Sequence, residues 1–297
     1  MAFLLTEGIH LLDLAGPAQV FDTASRTGCP GYRLRYLAET PAVLAAQGLP
    51  LVAETVWPRL GPDDLLLVPG WRVEAKGGSG PGPRGLDLLR AHHEGGGTVA
   101  SVCAGAFALA EAGLLTGRRC TTHHDLQDAL ARRNPQATVV RDVLFVVDGR
   151  IVTSAGIASG VDLALHLVAV RHGPAAAARA ARAMVVYARR NGDAPQESVM
   201  LRHRSHVSDV VHRVQDLVDA RFAEPLRLAD LATAAGVSER TLTRAFVHAI
   251  GLSPLRYQQL LRLEHAEHLI GGGSTVEAAA RSAGFADARM LRRLRSR

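Results

Sequence analysis

Lysine is almost missing: Lys76 is the only one in 297 residues, so nearly all of the 34 basic side chains are arginines. Cysteine is scarce too. Cys29, Cys103 and Cys120 are an odd number at unrelated spacings, which excludes a disulfide framework and a zinc-finger pattern. No apolar run approaches the roughly twenty residues needed to cross a bilayer. The opening Met1-Ala-Phe-Leu-Leu5 meets Glu7 without a basic region or a cleavage site, so no export leader is read there. A cytoplasmic protein with no membrane partner is expected. Histidines paired at helical spacing with carboxylates are also lacking, except His265 beside Glu264 and His268, read as a solvated helix face. No metal and no cofactor is expected.

Basic charge is present but uneven. Of the net +6, residues 200–297 carry +5, from fifteen arginines against ten acids. Compositional bias explains arginine in place of lysine. It does not explain why the excess gathers in the last third, where a polyanion would be attracted.

That third contains Leu228-Ala-Asp-Leu-Ala-Thr-Ala-Ala-Gly-Val-Ser-Glu-Arg-Thr-Leu-Thr-Arg-Ala-Phe246. Leu228, Leu231, Ala232 and Ala235 have helical spacing, and Gly236 permits the left-handed backbone that ends a helix. Ser238 is placed to cap a second helix, with Leu242 and Phe246 on one face and Arg240, Thr243 and Arg244 elsewhere. A helix-turn-helix and an ordinary helical hairpin both fit this stretch alone. A second copy favours the first. Val276–Phe285 repeats the small-residue helix and turn, Gly284 falls 48 residues after Gly236, and Met290-Leu-Arg-Arg-Leu294 supplies another arginine-rich helix. Ser253 and Pro254 start a linking helix that runs to about Ile270. At about 25 Å it can hold two reading helices in successive major grooves roughly 34 Å apart. The apolar stripe of 209–222 opens this domain.

The first part alternates strand and helix patterns. Strands are expected at Ala2–Leu5, Tyr32–Ala38, Leu51–Ala53, Asp64–Val68, Thr98–Val102, Val139–Val147 and Arg150–Ser154. Helices are expected at Leu14–Ala24, Leu86–His93, Ala104–Ala112, Ser159–Val170 and Ala175–Ala188, with an irregular loop at Gly77–Pro83. This predicts an α/β doubly wound, largely parallel sheet followed by an all-α domain with two helix-turn-helix units. The expected division is 1–188, a linker at 189–208, and 209–297.

Residues 209–297 resemble the AraC-type DNA-binding domain, through Leu231–Phe246, Gly251-Leu-Ser-Pro-Leu-Arg-Tyr257, Arg262-Leu263 and Ala279–Phe285. The resemblance implies a transcriptional regulator on double-stranded DNA, touching bases through Arg240, Thr243 and Arg244, then around Arg289, Arg292 and Arg293. Arginine can take guanine O6 and N7 together, and threonine can reach a base edge. Two registers are open for the second reading helix. The family's one-residue-longer second unit puts Arg295 at the usual aromatic position, whereas an ungapped overlay puts Met290 and Leu294 on the core face.

Residues 1–188 resemble the PfpI-like branch of the class I glutamine amidotransferase superfamily, through Leu11–Phe21, Val68-Pro-Gly70, Cys103–Leu115 and Thr121-Thr-His-His124. The pairing with an AraC-type domain is that of GlxA-type regulators. It implies a domain that binds a small-molecule effector, forms a homodimer, or both.

Cys103 lies between a strand and a helix, where helix N–H groups would lower its pKa and could hold an oxyanion with the Gly70 or Trp71 N–H. The superfamily places a carboxylate at the position of Asp13. Asp13, Gly70, Trp71, Cys103 and Ala104 are the expected ligand-binding residues, and Cys103, Asp13 and His123 the catalytic candidates. Ala104 stands where cysteine-histidine enzymes often carry histidine, so His123 or His124 would have to serve as base. Two readings stay open: a pocket kept for ligand binding or oxidation sensing, and a cysteine-dependent hydrolase or hydratase of amides, nitriles or isonitriles.

Overall fold

Leu65–Val68 and Thr98–Val102 have little polar alternation, so neither can face water on one side. They pair in parallel at the middle of a six-stranded sheet. The computed structural model describes residues 1–73, 80–186, 190–196, 198–204, 206–271 and 273–295, without the side chains of Met200 and Leu201. It divides into two units, Met1–Gln196 and Glu197–Arg297.

In the first unit β1 (Ala2–Leu4) leads to α1 (Leu11–Arg26), β2 (Arg35–Leu37) and a hairpin of β3 (Ala42–Leu44) with β4 (Pro50–Val52). Then follow β5 (Leu65–Val68), α2 (Pro83–Glu94), β6 (Thr98–Val102) and α3 (Gly105–Glu111). Next, β7 (Arg119–Cys120) pairs with β8 (Thr138–Val139) around α4 (Gln127–Arg133). The hairpin β9 (Phe145–Asp148) and β10 (Ile151–Ser154), α5 (Ser159–His172) and α6 (Pro174–Ala183) complete it. The main sheet runs β2-β1-β5-β6-β10-β9, parallel except at β9. From β1 the chain runs outward to β2 and returns to β5 on the other side of β1. That reversal opens a crevice at the carboxyl ends of β1 and β5, where doubly wound sheets hold ligands. Close approach of helices narrows the fold nearby: a Cβ on Gly160 would press on Pro17, and one on Gly16 on Val161.

Several expected elements shift. α1 begins at Leu11 rather than Leu14, and Pro17 sits inside it, forgoing the hydrogen bond its nitrogen would give. Pro83, expected in a loop, is the first residue of α2, where a missing N–H is harmless. Gly77, Gly78 and Ser79 of that loop lie outside the described residues. The run Val139–Val147 is not one strand. It divides into β8 and β9, with Asp142 between them in the left-handed region at φ 51°. α6 ends at Ala183, and Val185 has φ 55°, which no helix continues; Tyr187 and Ala188 lie outside the described residues.

The second unit is helical: α7 (Val199–Arg202), α8 (Asp209–Arg221), α9 (Leu228–Ala235), α10 (Glu239–Ile250), α11 (Pro254–Gly271), α12 (Val276–Ser282) and α13 (Ala288–Arg295). Gly236 and Gly251 end α9 and α10 with φ near 70°, and the Ser238 hydroxyl accepts from Thr241 N–H. α11 serves two cores. Its Tyr257 and Leu261 join Val211, Val214, Val218, Leu231, Leu242 and Phe246, whereas Ala266 joins Ala279, Ala280, Ala283, Phe285 and Leu291. His265 is not on a solvated face: its ring packs edge-on against Phe222, 5.2 Å between centroids. Among the described residues no helix is long and apolar enough to cross a membrane.

The register of the second reading helix is decided by Leu291, which is wholly buried, while Met290 and Leu294 are only partly so. Leu242 therefore corresponds to Leu291, an offset of 49 residues, and the ungapped overlay is wrong. The extra residue lies in the turn: Asp287, not Ala286, caps α13 by accepting from Met290 N–H at 3.0 Å. Leu291→Ala should cost about 2–5 kcal/mol, as buried leucine truncations do, and expose α12 and α13 to hydrogen exchange. Met290→Ala should leave that protection near the parent level. Equal loss in both variants would return the register to the ungapped one.

Candidate ligand site and nucleic-acid interface

β6 delivers the chain to Cys103 at φ 54°, a left-handed conformation that costs a residue with a Cβ about 1–2 kcal/mol. Neighbours hold it there. Cys103 N–H donates to Ser154 O at 3.0 Å, and Thr122 Oγ1 donates to Cys103 O at 2.7 Å. A side chain on Gly156, itself at φ 103°, would overlap Cys103, and one on Gly105 would overlap the carbonyl of Val68.

The first turn of α1 brings Asp13 to the same crevice, wholly buried. Its Oδ1 accepts from Ile157 N–H at 2.6 Å. The Gly70 N–H and the Cys103 thiol also lie close enough to hold its charge; Oδ2 nonetheless completes no hydrogen bond by distance and angle. His10, which precedes α1, places a buried Nδ1 4.0 Å from Oδ2. The donor atoms of His10, Asp13 and Cys103 all lie within 4.8 Å of one another.

Burial dominates the electrostatics. It pushes the Cys103 thiol up to about 12, with the Asp13 charge adding to it and the Ala104 N–H opposing. Burial also raises the Asp13 carboxyl, against the Ile157 N–H and His10. The expected activation of the thiol by helix N–H groups is therefore overturned: one short helix cannot offset desolvation beside a carboxylate. The expected oxyanion donor is also redirected, since the Gly70 N–H faces Asp13.

Gly70 belongs to the site because a Cβ there would overlap Asp13 Oδ2 and Cys103 Cβ. Ala104 supplies the N–H beside the thiol. Trp71 is buried, bridged to Ile9, with an indole N–H that has no partner among the described residues. His123 is not in the cysteine cluster. Its Nδ1 accepts from Asp125 N–H at 3.4 Å, and its ring lies 4.1 Å from that of His124. Sequence reasoning alone does not find His10, Thr122, Gly156 or Ile157. The one available signal is the His10-x-x-Asp13 spacing at a helix start; the others lie 19 or more residues from the cysteine and meet it only through the sheet.

In the second unit α10 buries Leu242 and Phe246 and leaves Arg240 and Arg244 exposed, with Thr243 half-buried between them. Together with Glu239, Val247 and His248 they line an open groove of about 650 Å³. With the offset of 49, Arg289, Arg292 and Arg293 occupy the same positions on α13, all exposed. Arg292 pairs with Glu277, and Arg295, in the place of Phe246, pairs with Glu267 at 2.8 Å.

Comparison with known proteins agrees with both halves. Residues 1–170 match the DJ-1/PfpI family and residues 231–296 a helix-turn-helix domain. The HTH-type transcriptional regulator CdhR of Pseudomonas aeruginosa is 30% identical over 270 residues, 90% of this chain and 79% of that protein. The isonitrile hydratase of Pseudomonas putida is 33% identical over 176 residues, 56% of this chain and 69% of that protein. The crystal structure of an AraC family transcriptional regulator from Pseudomonas putida superposes with a TM-score of 0.52 at 25% identity, covering 62% of this chain and 97% of that one. The chain belongs to the DJ-1/PfpI family and joins to that fold an AraC-type helix-turn-helix domain, the build of a DNA-binding transcriptional regulator.

Proposed function

We propose that this regulator reads its operator with α10 and α13 and that a small-molecule effector bound at Cys103 controls the reading. Arg240, Thr243 and Arg244 contact bases in one major groove, and Arg289, Arg292 and Arg293 in the next. The protein works in the cytoplasm as a homodimer, which presents two such pairs to adjacent half-sites. The observation that carries the control is a short chain of hydrogen bonds. Thr122, whose hydroxyl holds the Cys103 carbonyl, accepts through its own carbonyl from Gln196 Nε2 at 3.0 Å. Gln196 ends the first unit, so a shift at Cys103 reaches the point where the chain leaves for the DNA-binding helices.

A second reading rests on the likeness to isonitrile hydratase: Cys103 as nucleophile, with His10 rather than His123 as the nearby base. A thiol held near 12 is a poor nucleophile at neutral pH, which favours binding over turnover. Assays over isonitriles, nitriles and amides decide it; turnover lost in Cys103→Ala would establish the enzyme.

Arg244→Ala should weaken binding to DNA selected from genomic fragments by about 1–3 kcal/mol and relax preference at one base position. Affinity unchanged in a gel shift would remove Arg244 from the reading set.

The buried carboxyl makes a second test. Folding raises its pKa above the ordinary 3.8, so the folded state favours the protonated form. Stability from this group is full below the unfolded value and is lost as pH rises through the folded one. The melting temperature of Asp13→Asn, relative to the parent, should therefore be higher at pH 7 than at pH 4. A difference that does not change with pH would show that Asp13 carries no such penalty.

A further inference from the structure

Two of the three donors in the Cys103 cluster, His10 Nδ1 and Asp13 Oδ2, are buried with no hydrogen-bond partner among the described residues and face each other across 4.0 Å. Buried polar atoms are nearly always paired, and each left unpaired costs about 1–3 kcal/mol. The thiol completes the cluster within 4.8 Å. An imidazole nitrogen, a carboxylate oxygen and a cysteine sulfur that has given up its proton can all offer electron pairs to one cation, which would satisfy the three together. Sulfur and imidazole exclude calcium and magnesium, which take oxygen, and suit a borderline-soft ion.

We propose that His10, Asp13 and Cys103 bind one thiophilic divalent metal ion of the zinc class, which acts as the effector; its control of DNA binding rests on the reading given above. Donors around such an ion stand roughly 3.3–3.6 Å apart at bond lengths of about 2.0–2.3 Å, so the cluster closes by modest side-chain movement. His10 is the member free to make it, being 27% exposed and the residue just before α1. The ion takes the place of the thiol proton, which passes to solvent, and nothing is oxidised or reduced. Three protein donors leave a further position open to water or a small anion.

The cluster His123, His124 and Asp125 also gathers three donors within 4.8 Å. It fits less well. Asp125 and His124 are exposed, and the Asp125 N–H already engages His123 Nδ1. The experiment therefore uses the full chain carrying His124→Ala, reduced and stripped of metal, titrated with Zn²⁺ against a chromophoric chelator and with Co²⁺ followed by absorption. One ion per chain and a thiolate-to-cobalt charge-transfer band are expected. Cys103→Ala should abolish the band, and His10→Ala should weaken Zn²⁺ binding at least about 100-fold with the circular dichroism of the parent. Zn²⁺ affinity equal in the parent, Cys103→Ala and His10→Ala chains, or cobalt binding without the band, overturns the site. Gel shifts separate the two readings. Zn²⁺ bound at Cys103 without any change in DNA affinity overturns the effector role. DNA affinity altered by alkylating Cys103, in a chain that binds no Zn²⁺, overturns the metal and leaves the effector site standing.

Discussion

The left-handed turn at Cys103 is the constraint on which the first unit is built. A residue with a Cβ does not adopt φ 54° without compensation. The compensation comes from four places in the chain: the Ser154 carbonyl, the Thr122 hydroxyl, and the bare backbones of Gly105 and Gly156. Each lies at the carboxyl end of a strand, in the connection that follows or, for Gly105, at the start of the next helix. Adding a Cβ at Gly156 would push directly on the cysteine, and the same holds at Gly70 for both cysteine and aspartate. The crevice is thus shaped by missing side chains as much as by those present.

The second unit solves a different problem. The second core is made largely of alanine with Phe285 and Leu291. α11 gives both cores a common wall, Tyr257 and Leu261 for one and Ala266 for the other. Tyr257 also donates to Asp219 at 2.7 Å, and Gln258 and Arg262 satisfy the carbonyls of Phe222 and Glu224 just beyond α8. The aromatic that fills the first core at Phe246 has Arg295 as its counterpart, tied to Glu267 on the surface. The two units therefore differ in how firmly their reading helices are seated.

Patterns that depend on near neighbours were legible from the residues. The helix-turn-helix rests on Gly236, Ser238 and the Leu242–Phe246 stripe, all within a dozen positions. β5 shows as an uninterrupted apolar run, and β6 has only the small polar residues Thr98 and Ser101, because burial on both faces leaves no regular polar alternation. What could not be read depended on distant partners. His10 and Cys103 are far apart in sequence, and only the parallel pairing of β1 with β5 and of β5 with β6 brings their loops together. The thiol pKa departs from its local signal for the same reason. The local signal, a cysteine before a helix, favours the thiolate, whereas the deciding terms are burial and a carboxyl from another element. The register of α13 depended on one residue inserted in a turn, which spacing alone leaves ambiguous.

The energetics of the crevice suit it to control. The Cys103 backbone holds about 1–2 kcal/mol of strain, and His10 Nδ1 and Asp13 Oδ2, unpaired among the described residues, about 1–3 kcal/mol each. A well-folded domain keeps only about 5–15 kcal/mol in all, so these terms are a large share to concentrate at one place. Shifting a two-state equilibrium from 1:99 to 99:1 takes about 5.5 kcal/mol of differential binding. An occupant that pairs both orphaned atoms gains an amount of that order before any contact of its own is counted. Thr122 ties the Cys103 carbonyl to Gln196, so under the proposed reading part of that gain would move the end of the first unit. A pocket lined only by satisfied groups could bind a ligand as tightly, yet it would have less free energy to pass on, since little in the protein would change when it filled.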